Sequence, residues 1–161
     1  MQKYVLTTLS ENYAKEICNW RYEGDYAVYN FSDWNVVVKN GWDLAVKERR
    51  ESDFLAILLD NRLIAFGRLT TSEGKAFIGI GLEPSICGKG IGKDVMKLLI
   101  IECKKRFPEC IIALEVRSFN KRAIKCYENV GFEIKDKYIN IKNRFVGDTE
   151  FVYMEYQPTQ Q

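Results

Sequence analysis

The feature that most constrains this chain is a glycine-rich turn, Pro84-Ser85-Ile86-Cys87-Gly88-Lys89-Gly90-Ile91-Gly92-Lys93, which leads from an apolar run into a strongly amphipathic segment. Such a strand-to-helix turn presents backbone N–H groups to an anion, because a helix N-terminus carries unpaired donors and partial positive charge. Two familiar phosphate-binding loops fail on particular residues. A Walker A loop needs glycine, four residues, then Gly-Lys and Ser or Thr. Here Cys87 stands five places before Gly92, and Asp94 follows Lys93. A dinucleotide fingerprint of the form G-x-G-x-x-G needs glycine at 93 or at 95, where the chain has Lys93 and Val95.

The residue inventory narrows the chemistry. There is no histidine among the 161 residues. That removes the usual general base, the usual zinc ligand and every Ser/His or Cys/His nucleophile pair, so no metal site is expected. The five cysteines (18, 87, 103, 110 and 126) are odd in number and lack C-x-x-C spacing. They read as reduced thiols of a cytoplasmic protein. A net charge of +2 without a basic stripe makes no case for nucleic acid. No run approaches the roughly 18 apolar residues of a membrane span, and the N-terminus lacks the apolar core of a signal peptide. With 47% hydrophobic and 29% charged residues, the chain reads as one soluble domain over 1–161.

Periodicity and turn residues order the elements. Tyr4 to Thr8 reads as a strand, and Ser10 caps a helix through about Trp20. Residues 20 to 42 read as irregular and strongly aromatic, and Val46 to Glu51 as a short helix. Phe54 to Leu59, the turn Asp60-Asn61 and Leu63 to Leu69 read as a hairpin. After Ser72-Glu73-Gly74, the apolar run Ala76 to Leu82 leads into Pro84. A helix spans about Gly92 to Phe107, with Val95, Leu98, Leu99 and Cys103 on one face. Ile111 to Val116 reads as a strand, Asn120 caps a helix that Gly131 ends, and strands follow around Glu133 to Ile141 and Glu150 to Tyr156.

A second stretch brings reactive groups. Glu115-Val116-Arg117-Ser118-Phe119-Asn120, followed by Ala123, Tyr127 and Gly131-Phe132, offers a carboxylate, an amide and a phenol. Together the two stretches resemble the signature of the GCN5-related N-acetyltransferases. The family's loop pattern, Gln/Arg-x-x-Gly-x-Gly/Ala, is matched at Gly90 and Gly92 and departs at Cys87. A loop that works through backbone amides loses little by that departure. The element order resembles the family's from end to end, while the specific motifs occupy positions 80 to 132. The resemblance implies an α/β fold with a central mixed, mostly antiparallel sheet of about seven strands flanked by about four helices. It further implies a splay between the fourth and fifth strands.

The resemblance also implies a site for acetyl-CoA. The backbone of Ile80, Gly81 and Leu82 would pair with pantetheine, with an N–H near Leu82 facing the thioester oxygen. Cys87, Gly88, Lys89, Gly90, Ile91, Gly92 and Lys93 would hold the pyrophosphate. Asn120 would meet the pantetheine amides; its plainer reading is a helix N-cap. Glu115 and Tyr127 resemble the base and the thiolate-protonating acid of relatives that acetylate protein N-termini. Tyr127, seven residues past Asn120, shares its helical face. The plainer readings are a packed tyrosine, and a surface carboxylate or one paired with Arg117. Cys87 as a nucleophile conflicts with the family's direct attack in a ternary complex, and Cys126 reads as a packed thiol. Lys121, Arg122 and Lys125 could meet a 3′-phosphate or be simply solvated.

The expected reaction is acetyl transfer to a primary amine, with a small amine, amino acid or peptide as acceptor. Trp20, Tyr22, Glu23, Asp25, Tyr26, Tyr29 and Trp34 mix aromatics with carboxylates and could hold a cation, or be core. Acetylation of a protein N-terminus is a second reading, and a CoA-binding regulatory domain without turnover a third. Dimerisation is common in the family, so a homodimer is compatible with the resemblance, and no interface is legible.

Overall fold

Two tight turns set the first half of the sheet. Asp60 and Asn61 (φ 51° and 66°) join β2 (Phe54–Leu59) to β3 (Arg62–Ser72), and Glu73 and Gly74 (φ 50° and 79°) join β3 to β4 (Lys75–Leu82). Two consecutive residues at positive φ match the right-handed twist of the flanking strands, which is why short polar residues and glycine sit there. The computed structural model describes residues 3–140 and 149–157. Its remaining strands are β1 (Tyr4–Thr8), β5 (Ile111–Arg117), β6 (Phe132–Asn140) and β7 (Thr149–Tyr156). Ile141, where the sequence reading ends β6, lies outside the described residues.

The seven strands run in the order β1-β2-β3-β4-β5-β7-β6. β1–β2, β2–β3, β5–β7 and β6–β7 pair antiparallel, and β4–β5 pair parallel. A parallel pair needs a crossover, and the helix between β4 and β5 supplies it. The parallel ladder holds Lys75–Ile111, Ala76–Ile112 and Phe77–Ala113, and both strands run on past it, to Leu82 and Arg117. The mostly antiparallel α/β sheet of the sequence reading is therefore present, with its ladder ending where a splay was expected.

Among the described residues, five α-helices accompany the sheet: α1 (Glu11–Cys18), α2 (Trp34–Lys39), α3 (Lys47–Ser52), α4 (Ile91–Arg106) and α5 (Lys121–Asn129). α2 was not legible in the sequence, which reads 20–42 as irregular. Its Val36-Val37-Val38 run is β-branched, and Asp33 makes no side-chain cap bond, so local propensity argues against a helix. Burial of Val37 overrides it. Residues Gly24–Tyr29, Asp43–Ala45 and Pro84–Ile86 form 3₁₀ turns.

The chain divides into two compact units. One comprises the residues up to Arg68 together with Ile80–Lys89, and the other Leu69–Gly79 together with the residues from Gly90 onward. In the first, Leu9, Ile17, Trp20, Val37, Leu44, Phe54 and Leu63 form the core, with Phe31, Trp34 and Phe66 packed against it. Ser10 caps α1 by accepting from the Tyr13 N–H at 3.2 Å. In the second, α4 buries Val95, Met96, Leu99, Ile100 and Cys103, while Leu98 stays half-buried. Ile112, Leu114, Val116, Val152 and Met154 are also buried there, on alternate positions of β5 and β7.

Candidate active site

The carboxyl end of β4 is shaped by its neighbours in the first unit. The Phe66 ring lies over Gly81, where a Cβ would come within 2.2 Å of Cε1 of that ring. Glycine is the residue that admits the ring. One step on, the Glu83 N–H donates to the Ile64 carbonyl at 2.8 Å. Backbone groups of successive strand residues point to opposite edges, so Leu82 presents its N–H and C=O on the edge away from β3. The Tyr22 hydroxyl meets that carbonyl, donating to Leu82 O at 2.5 Å. Burial pushes the Tyr22 phenol above its ordinary value, and the nearby negative charges of Cys87 and Glu83 add to the shift. The group stays a proton donor.

Glu83 braces the start of the turn. Its carboxylate accepts from the Ser85 N–H at 3.2 Å, bonds the Ser85 hydroxyl, and pairs with Arg62 at 3.1 Å. Cys87 is half-buried, with Sγ 3.7 Å from the Glu83 carbonyl. Gly88 and Gly90 both sit at φ 81° with nothing within 4 Å of a would-be Cβ. Conformation, not space, calls for glycine at these two positions. Gly90 is the N-cap of α4 and offers no side-chain acceptor. The N-cap of this 16-residue helix therefore supplies no side-chain bond to the first-turn amides. Gly88, Lys89, Gly90 and Lys93 are exposed; Ile91 and Gly92 are half-buried.

The second unit carries the other sequence-predicted residues. Glu115 is the exposed member of β5 between buried Leu114 and Val116. Its carboxylate interacts with the phenol of Tyr138, a residue the sequence reading did not single out. Burial, first, and the Glu115 bond and charge raise the Tyr138 phenol above its usual range. Register explains the meeting: Tyr138 opposes Phe151, and Phe151 opposes Arg117, so all three share a face with Glu115. The Tyr138 ring stacks on Phe151 at 5.7 Å, and the Arg117 guanidinium lies 5.4 Å from the Phe151 centroid.

Asn120 performs the capping role its position suggests, its Oδ1 accepting from the Ala123 N–H at 3.2 Å. Tyr127 is half-buried, its ring edge-on to Phe132 at 6.2 Å, and Phe132 in turn meets Tyr156 at 5.6 Å. Burial raises the thiols of Cys18, Cys126 and Cys103, the last to about 11. None of the five cysteines is in a disulfide. Lys121, Arg122 and Lys125 lie exposed on α5. Of the aromatic and acidic cluster, Trp20 is core and Trp34 packs against it, whereas Glu23 and Asp25 are exposed and Tyr26 and Tyr29 half-buried. Among the described residues there is no group of three or more His, Cys, Asp or Glu able to hold a metal. Among the same residues, no helix is long and apolar enough to cross a membrane.

Known proteins give these features a context. No curated protein matches the chain in sequence. Its fold resembles that of the ribosomal-protein-S18-alanine N-acetyltransferase of Escherichia coli (TM-score 0.67, 18% identity, 99% of this chain and 96% of that one). A Salmonella typhimurium acetyltransferase-type protein, yncA, solved with its cofactor acetyl-CoA, is similar at TM-score 0.69 and 17% identity over 98% and 95% of the two chains. A spermidine N-acetyltransferase chimera of Vibrio cholerae SpeG and hSSAT is similar at 0.70 and 18% over 93% of each. At these identities the likeness is one of fold. The sequence model of the acetyltransferase (GNAT) family matches residues 14–132, which run from within α1 to the first residue of β6 and hold both motif stretches. The chain belongs to the acetyltransferase (GNAT) family, enzymes that use acetyl-CoA.

Proposed function

We propose that this chain transfers the acetyl group of acetyl-CoA to a primary amine by direct attack in a ternary complex. The observation that carries the reading is the turn at Gly88 and Gly90, both at φ 81°, opening into the uncapped N-terminus of α4 directly after β4. In this reading the amides of Cys87 to Lys93 hold the pyrophosphate. The backbone of Ile80, Gly81 and Leu82 pairs with pantetheine, and Asn120 contributes a side-chain amide beside its capping role. The Leu82 N–H, on the β4 edge away from β3, stabilises the charge that develops on the thioester oxygen.

An alkyl ammonium has a pKa of about 10 and must lose a proton before it attacks. With no histidine in the chain, Glu115 takes that proton, directly or through water. The nitrogen lone pair forms the C–N bond, the C–S bond breaks with its electron pair on sulfur, and Tyr127 supplies the proton that makes the free thiol. The nitrogen's remaining surplus proton leaves to solvent, giving the amide and CoA. Residues 1–161 act as one acetyltransferase domain, and the free cysteines suit the cytoplasm.

The acceptor is a small amine, an amino acid or a peptide. Acetylation of a protein N-terminus is the second reading, favoured by the Glu115 and Tyr127 spacing and by the likeness of fold to the S18-alanine enzyme. The test is thiol release from acetyl-CoA with spermidine, free amino acids, an aminoglycoside and an alanine-initiated peptide, against an acceptor-free blank. Release that depends on one amine class and falls about a hundredfold in Tyr127→Phe supports the reading. Acetyl-CoA binding without amine-dependent release would point to a regulatory CoA-binding domain.

A further inference from the structure

Tyr127 is the last member of a chain of ring contacts that begins on α4. The Lys104 ammonium, in the last turn of that helix, lies 4.7 Å from the Tyr156 ring centroid. Tyr156 is the final residue of β7 and the register partner of Phe132, the first residue of β6. Antiparallel partners point to one face, and alternation along β7 makes it the face of buried Val152 and Met154. The Tyr156 and Phe132 rings meet edge-on at 5.6 Å, and buried Phe132 meets the Tyr127 ring edge-on at 6.2 Å. Gly131 admits Tyr156 from a third side. A Cβ there would come within 2.9 Å of Tyr156 Cε2 and 3.4 Å of the Gln157 carbonyl, and its φ of 115° also favours glycine. The Gln157 N–H donates to the Gly131 carbonyl at 2.8 Å, fastening the end of β7 to the turn between α5 and β6.

We infer that Tyr156 is a positioning residue for Tyr127: its ring, held by Lys104 and Gly131, sets Phe132, and Phe132 sets the direction of the Tyr127 phenol. The inference rests on the reading above, in which Tyr127 protonates the departing sulfur. An edge-on aromatic pair has a preferred geometry beyond its buried area, so a ring fixed on one side constrains the next. An aliphatic side chain at 156 would fill much of the space and carry no such orientation. A proton donor acts only within hydrogen-bond reach of its acceptor, and a misplacement of about 1 Å costs about a hundredfold in rate. Tyr156 thus acts on the chemical step and not on the binding of either substrate.

The experiment places Tyr156→Leu and Tyr156→Phe in wild type and in Tyr127→Phe, with Tyr156→Met standing in for leucine if that variant fails to fold. It measures kcat and amine KM with spermidine and an alanine-initiated hexapeptide, acetyl-CoA affinity by calorimetry, and the Tyr127 ring signals of the free protein by NMR. Tyr156→Leu is expected to lower kcat about tenfold, with amine KM and acetyl-CoA affinity within about twofold of wild type. Tyr156→Phe keeps the ring and should stay within about twofold in all three. In the Tyr127→Phe background, leucine at 156 should cost nothing further, because the group it misplaces is already gone. The Tyr127 ring signals, shifted by the Phe132 ring beside them, should move in Tyr156→Leu and not in Tyr156→Phe. Equal losses of kcat in both backgrounds, or unmoved ring signals, overturn the inference and leave the acetyltransferase reading standing. A loss in Tyr156→Phe as large as in Tyr156→Leu also overturns it, since the hydroxyl and not the ring would then matter. Wild-type kcat in Tyr127→Phe overturns instead the assignment of Tyr127 as the acid. Turnover of neither probe by wild type counts against the acetyltransferase reading, and the ring signals still decide whether Tyr156 sets Tyr127.

Discussion

Tyr138 of β6 and Glu115 of β5 share one face of the sheet, brought together by register across Phe151 of β7, and the Glu115 carboxylate helps burial to raise the Tyr138 phenol above its usual range. If Glu115 takes the proton from the amine, the phenol holds its carboxylate in place. Glu115→Gln is expected to lower kcat/KM about a hundredfold or more, and Tyr138→Phe several-fold. Because the two side chains interact on one sheet face, their effects should not add. The double variant is expected to match Glu115→Gln alone, and steady-state kinetics on the four proteins checks it. Fully additive losses would separate Tyr138 from the chemistry.

The Phe66 ring over Gly81 leads to a stability prediction. A methyl group at Gly81 would meet the far edge of that ring at 2.2 Å. Phe66 is itself wedged among Trp20 and Phe31, with centroids 6.1 Å and 6.0 Å away, so it cannot swing aside freely. Gly81→Ala is expected to destabilise the protein by about 1–3 kcal/mol. Phe66→Leu in the same chain should recover part of that loss, as read by urea unfolding.

Gly88 and Gly90 make a contrasting pair of targets. Their Cβ positions are open, and their φ of 81° disfavours any side chain. Alanine at either is expected to cost about 1–2 kcal/mol of backbone strain in the present conformation. The loop should relax to avoid it, turning its amides away. Acetyl-CoA affinity, measured by calorimetry, is therefore expected to fall by a larger factor than overall stability changes. An unaltered affinity in Gly90→Ala would show that the turn does not hold the donor.

Alkaline pH should act through tyrosines. Tyr22 and Tyr138 are raised chiefly by burial, and Tyr153 by burial and then by its bond to Glu155, to which its hydroxyl donates at 2.6 Å. A phenol whose folded pKa lies above the unfolded value of about 10 contributes stability below that pH. The contribution is lost as pH rises through the folded values. Thermal melts are thus expected to fall steadily above about pH 10. Tyrosinate absorbance should show a late-titrating group that diminishes in Tyr22→Phe and again in Tyr138→Phe.

Much of the fold was legible because its signals are local. Asp60-Asn61 and Glu73-Gly74 mark turns by the φ that short polar residues and glycine tolerate, and the structure has both at positive φ. Ser10 and Asn120 mark helix starts by side-chain oxygens that reach an N–H three residues on. The glycine turn and the helix after it stand where periodicity placed them. α2 was not legible, because three consecutive valines argue against helix until tertiary burial of Val37 outweighs them.

The site divides in the same way. By itself, the sequence determined which groups exist and how neighbouring ones are spaced: the glycine turn, the Asn120 cap, the Glu115 to Tyr127 interval and the want of any histidine. Tertiary structure alone decided which distant groups meet. Tyr138 finds Glu115 through strand register across β7, and Tyr22 finds Leu82 across 60 residues. Capping and turn energies act within a few residues and leave their trace in the sequence. Register and loop closure are settled by burial summed over the whole chain, and no short stretch of residues records them.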